Sequence, residues 1–146
     1  MMNPHVIEDA FRAINARNPI RRVVADRDKA EQLMSWVEEA LGVEVVERGT
    51  RNADAAVDYE RFMEAIREGW IRYAGHKEFR RHVMNAVARN LGGDKKRFDR
   101  PVSSRSNAKE QDRRVIDALT TAGFVNTVAE AVFTAKPEAE PAVAFI

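Results

Sequence analysis

The side chains best suited to chemistry in this sequence are two aspartates in different settings. Asp26 closes the apolar run Val23-Val24-Ala25. A short run of this kind suits a buried parallel strand, and open α/β sheets bind ligands at the carboxyl ends of such strands. A carboxylate there points into the crevice; the other reading is that Asp26 caps the helix behind it. Asp117 lies within Val115-Ile116-Asp117-Ala118-Leu119, early in a helix of otherwise apolar and small residues. An ionised carboxylate near a core calls for a partner or a metal. Alternatively, Asp117 faces solvent at the edge of the stripe or pairs with Arg113 or Arg114 on the preceding turn. Two such carboxylates can hold hard cations through oxygen ligands. In a two-metal phosphodiesterase, Mg²⁺ or Mn²⁺ ions ~4 Å apart activate a water and stabilise the leaving oxygen. Such a site draws on about three or four acids, and only two are identifiable here.

Other groups point less sharply. His5, His76 and His82 share no metal-ligand spacing, so surface or hydrogen-bonding roles suit all three. The absence of cysteine excludes disulfides, thiol catalysis and Cys-type zinc sites. No Gly-x-x-x-x-Gly-Lys-[Ser/Thr] is present, so the sequence carries no P-loop motor of its own. Trp36 and Trp70 read as packing residues. The net charge of +1 conceals a segregation: residues 77–114 carry 12 basic and 5 acidic side chains, a net +7, between flanks of −3 each. A block of that kind can follow a phosphate backbone, or it can be a solvated surface with some internal pairing. The candidates for phosphate contact are Lys95, Lys96, Arg97, Arg100, Arg105, Arg113 and Arg114, and the run Ser103-Ser104-Arg105-Ser106 adds hydroxyls without specificity.

These groups need elements to position them. Asn3-Pro4 is a helix-start signal, and Val6, Ile7, Ala10, Phe11 and Ile14 form an apolar stripe that stops near Asn18-Pro19. Residues 20–25 read as a strand. Asp28 then caps a helix with Leu33, Met34, Val37 and Leu41 inward, Gly42 closes it, and Val43, Val45 and Val46 form a second strand. Strand–helix–strand with tight connections predicts two parallel strands. A further helix covers roughly 55–68, with Val57, Phe62, Met63 and Ile66 inward and Gly69 behind it. Residues 70–73 read as a short strand. Residues 77–90 read as a helix on Phe79, Val83, Met84 and Val87, ended by Gly92-Gly93. Residues 94–111 read as a loop with one edge strand. The final helix runs from about 111 to 134, burying Val115, Ile116, Leu119, Ala122, Val125, Val128 and Val132. The expected organisation is one domain over 1–135 and a disordered tail over 136–146. No apolar run reaches the ~18 residues of a membrane span, and no signal peptide opens the sequence, so a cytosolic location is expected.

The order of these pieces resembles the C-terminal nuclease domain of phage terminase large subunits. Val23-Val24-Ala25-Asp26, followed by Glu31-Gln32-Leu33, resembles the segment in which a strand-end Asp supplies the second nuclease carboxylate. Residues 59–69 (Tyr59-Glu60-Arg61-Phe62 onward) resemble the helix that follows. Arg81-His82-Val83-Met84-Asn85-Ala86-Val87-Ala88-Arg89 is similar to the next element, with Asn85-Ala86 as its characteristic core. Phe98-Asp99-Arg100-Pro101 and Arg114-Val115-Ile116-Asp117-Ala118-Leu119 are similar to the ending, where Ile-Asp-Ala carries the last metal-binding Asp. The resemblance spans roughly residues 6–130 and rests on the four motifs in order. It implies an α/β chain with a truncated RNase H-like fold, a short, mostly parallel sheet with flanking helices. It also implies Mg²⁺- or Mn²⁺-dependent cleavage of double-stranded phage DNA in the host cytoplasm, with Asp26 and Asp117 as metal ligands. In the family a first carboxylate lies on an upstream strand, and three central antiparallel strands precede the present segment. Asp9, on a helix, is a poor substitute for it. The expectation is therefore weak or no activity for this chain alone, with a partner chain carrying the ATPase and the first acid, and contact with the portal. The alternative is a non-catalytic terminase-derived protein that oligomerises through its exposed sheet edge, or binds DNA, terminase or portal.

Overall fold

The computed structural model describes residues 4–49, 51–101 and 115–134. Proline, which needs no N–H partner, opens helix α1 (Pro4–Arg17). Beyond it, the Asn15 side chain accepts from the Ile20 N–H at 2.8 Å and turns the chain into strand β1 (Arg22–Ala25). Helix α2 (Arg27–Leu41) follows, kinked at Ala30, and Gly42 closes it with φ +63°, a left-handed conformation natural to glycine. Strand β2 (Glu44–Glu47) then pairs with β1 in parallel, Val23 opposite Val45 and Val24 opposite Val46. The βαβ unit expected from the sequence is present. Phe11 meets Trp36 edge-on at 6.5 Å, with the Arg12 guanidinium 4.9 Å from the Trp36 ring, so α1 rides on α2.

Helix α3 (Asn52–Arg67) and helix α4 (Lys77–Asn85) lead to a hairpin of β3 (Val87–Gly92) and β4 (Lys95–Asp99). Helix α5 (Asp117–Thr134) is the last described element. The core gathers Met34, Val37, Val43, Ala55, Phe62, Ala65, Ile116, Leu119 and Phe124. Phe98 of β4 joins it by packing on Tyr59 and Phe62, with ring centroids 4.8 and 5.8 Å apart. The chain is thus mixed α/β, with five helices and two small sheets among the described residues, one parallel and one antiparallel.

Several expectations change. The single sheet becomes two. The helix expected over 77–90 stops at Asn85, and Val87 begins a strand. Gly92 and Gly93, with φ +109° and +58°, turn the hairpin rather than end a helix. Dipeptides such as Gly-Gly accept the positive φ that tight hairpin turns demand, and this outweighs the helical spacing of Val83 and Val87. Residues 70–73 form no strand: the Trp70 N–H still bonds the Ala65 carbonyl, and the Tyr73 hydroxyl donates to the His76 carbonyl at 2.5 Å. Trp70 is 68% exposed and so is not a packing residue. Asp26, not Asp28, occupies the N-cap position of α2. Val6, Ile14, Val57, Ile66, Val83, Met84, Val87 and Val125, expected inward, are exposed, and Phe124 and Thr127 are buried on α5 in place of Val125. The expected tail and residues 102–114 lie outside the described residues.

Candidate functional site

The two candidate carboxylates occupy different positions in the fold. Asp26 follows β1 and is half-buried; its side chain makes no capping hydrogen bond to α2. The end of β1 is tied to β2, since the Arg48 N–H donates to the Ala25 carbonyl at 2.9 Å. Arg48 in turn reaches Asp58, which accepts from Thr127 on α5. Asp117 opens α5, ten residues before Thr127, a rise of about 15 Å along a helix axis. Its side chain is 73% exposed and faces Arg100 at 3.7 Å. Asp117 thus lies at the solvent edge of its stripe and pairs with Arg100; Arg113 and Arg114 lie outside the described residues. Among the described residues no group of three His, Asp or Glu side chains is placed to hold a metal. The carboxylates described on this chain do not by themselves make a two-cation site.

The start of α5 is held by α4. His82 Nδ1 accepts from the Ala118 N–H at 3.0 Å, and Asn85 Nδ2 donates to the Val115 carbonyl at 3.2 Å. The first N–H groups of a helix have no partner within it, so His82 acts as a cap from another element. This arrangement puts the imidazole proton on Nε2. The stretch His82–Ala86 thereby meets the stretch Val115–Ala118, some thirty residues later, on either side of Asp117. His76 has a similar role on α4 itself, its side chain accepting from the Phe79 N–H at 3.4 Å. The hydrogen-bonding role expected for these histidines is what they perform.

The basic candidates divide by what holds them. Lys95 and Lys96 stand exposed on β4. Arg97 is half-buried and donates to Asn52 Oδ1 at 2.9 Å, while Arg100 faces Asp117. Arg105, like Arg113 and Arg114, lies outside the described residues. Asp99 accepts from Arg89 at 3.0 Å and from the Arg100 N–H at 2.8 Å. Burial pushes its carboxyl up, but these two hydrogen bonds and the charges of Arg97 and Arg89 hold it below the ordinary aspartate value.

Sequence reasoning missed Asp58. It is buried on α3, at 3% exposure, and takes the Arg48 guanidinium in a two-pronged grip (Nε at 2.9 and 3.0 Å, Nη2 at 2.6 Å). Thr127 Oγ1 donates to the same carboxylate at 2.6 Å. Among the described residues no fully buried side-chain polar atom is left without a hydrogen-bond partner, and the knot suits a joint between β2, α3 and α5 better than a reactive centre. A signal was present: Ala55, Asp58, Phe62 and Ala65 follow one helical stripe, so an acid on that stripe must be buried.

A cleft of about 510 Å³ opens between α3, α4 and β3, walled by Phe62, Met63, Ile66, Phe79, Val83 and Val87 among others, with Arg80 as its one charged side chain among the described residues. Comparison with known protein families, with characterised proteins and with solved structures gives no match for this chain.

Proposed function

We propose that this chain is part of a phage terminase large subunit, a segment of its RNase H-like nuclease domain that cuts double-stranded DNA once a second segment completes it. The observation that supports this reading most is the clasp at α5. Two of the four stretches that resemble the family, around Asn85-Ala86 and around Ile116-Asp117-Ala118, are hydrogen-bonded to one another beside Asp117. A carboxylate held at a fixed helix start is preorganised as a ligand.

In this reading Asp26 and Asp117 supply two of the metal-binding carboxylates, and the second segment brings the remainder with the ATPase. Bound Mg²⁺ or Mn²⁺ would activate water and stabilise the leaving oxygen. Among the described residues the carboxylates do not by themselves close a site around such an ion. Lys95 and Lys96 are free to follow phosphates, as contact without base specificity requires. Arg97 and Arg100 instead shape the hairpin and the neighbourhood of Asp117.

A second reading is favoured by the open apolar cleft. A soluble chain that leaves Ile66, Tyr73, Val83 and Val87 between 41% and 50% exposed around one hollow has a surface suited to binding. In that reading the chain is a non-catalytic partner that modulates packaging.

The test is cleavage of linear double-stranded DNA with Mn²⁺, with and without the polypeptide bearing the ATPase and an upstream nuclease strand. Cleavage by the mixture that Asp117→Ala abolishes is expected. Cleavage indifferent to that substitution overturns the assignment, and no cleavage by a stable mixture favours the second reading.

A further inference from the structure

We infer that the outer edge of β1 is the docking site for an extended strand of a partner chain, apolar at alternate positions and bearing a carboxylate that meets Arg21. The inference rests on the reading above only in its claim that a second segment completes the sheet.

The backbone identifies the edge. Within a strand the N–H and C=O of one residue point to the same side, and the side alternates along the chain. The Ala25 carbonyl accepts from Arg48 on the β2 side, so Val23 and Ala25 face β2. Arg22 and Val24 therefore direct their N–H and C=O groups away from β2, and among the described residues no strand pairs with them. An open row of this kind is a template for one further strand.

The side chains give that strand a floor. A groove of about 330 Å³ is lined by Pro19, Arg21, Arg22, Val24, Val125, Val128 and Ala129. No β2 residue lines it, so it opens on the outer side of β1. Val125 of α5, a position the periodicity places inward, lines this groove and is 48% exposed. Alternate side chains of an added strand would cover Val24, Val125 and Val128. Charge selects the partner further: Arg22 is engaged by Glu44 at 2.7 Å, whereas Arg21, exposed at the same mouth, has no carboxylate partner among the described residues.

The test uses the full chain and a blocked synthetic peptide of about seven residues, alternating valine with threonine and carrying one glutamate. Amide hydrogen exchange is followed at Val24, whose N–H points outward, and at Ala25, whose N–H already faces β2. The peptide is expected to slow exchange at Val24 about tenfold and to leave Ala25 little changed. Val125→Arg, on an exposed helix position, is expected to weaken peptide binding about tenfold. Arg21→Glu should weaken the glutamate peptide but not its glutamine counterpart. Protection at Val24 insensitive to both variants overturns the inference, as does peptide bound at the 510 Å³ cleft instead. Protection at Val24 that grows with the chain's own concentration, without peptide, makes the edge a self-association seam and also overturns it. Docking at β1 without cleavage in the reconstituted assay leaves this inference standing and removes the nuclease reading. Cleavage without added protection at Val24 does the reverse.

Discussion

Single residues carry the clearest energetics. Asp58 and Arg48 form a nearly dry ion pair whose worth lies in its completeness, because removing one partner leaves the other charge buried and unpaired. Asp58→Ala is expected to cost about 3 kcal/mol of unfolding free energy, read from urea denaturation. Thr127→Val, which removes one donor to the same carboxylate, should cost about 1 kcal/mol. Asp99 adds a pH dependence. Its folded-state pKa lies below the unfolded one, so its ionised form stabilises the fold above the unfolded pKa. That contribution is lost as pH falls through the depressed folded value. The stability difference between wild type and Asp99→Asn should therefore be full at neutral pH and shrink on acidification below the ordinary aspartate range. A difference constant with pH would show that Arg89 and Arg97 do not hold this carboxylate. Asp26 and Asp117 were legible as candidates because a strand end and an apolar stripe flag a carboxylate. The Arg100 partner of Asp117 was not, since it comes from a separate element seventeen positions earlier.

At the scale of elements, the βαβ unit was readable because its valine runs and Gly42 agree on one answer. The stretch 77–99 was not, because two patterns compete in it. Phe79, Val83 and Val87 keep helical spacing, while Gly92-Gly93 demands a turn with positive φ. The turn wins because β4 can then bring Phe98 onto Tyr59 and Phe62, an aromatic contact a continued helix would forgo. The break after Asn85 also matters for α5: it leaves Asn85 and His82 at the end of α4, facing Val115 and Ala118. Loss of this clasp by His82→Ala is expected to cost about 1 kcal/mol, the usual worth of an N-cap. It should also speed amide exchange at Ala118 more than at Phe124, deeper in the same helix. Equal acceleration along α5 would mean that His82 acts by general packing rather than as a cap.

For the whole molecule, the open features matter most. Among the described residues, one edge of the two-stranded parallel sheet and a broad apolar cleft stay open, and these are the surfaces at which the proposed partner would dock. In the proposed reading, the second segment would meet the backbone of Arg22 and Val24, with which no strand pairs on that side among the described residues. Only the coarse α/β class was legible from periodicity, because the division into two sheets depends on how α5 wedges against β1 on one side and α3 on the other. The central claim is that Asp26 and Asp117 act together in a DNA-cutting site completed from outside. Its most direct measurement is Mn²⁺-dependent cleavage of linear double-stranded DNA by the reconstituted mixture, comparing Asp26→Asn, Asp117→Asn and Arg100→Gln. Each aspartate variant is predicted to lose cleavage by about a hundredfold or more while still binding DNA, because Lys95 and Lys96 are untouched. Arg100→Gln should retain it. Cleavage undiminished by either aspartate substitution would contradict the account.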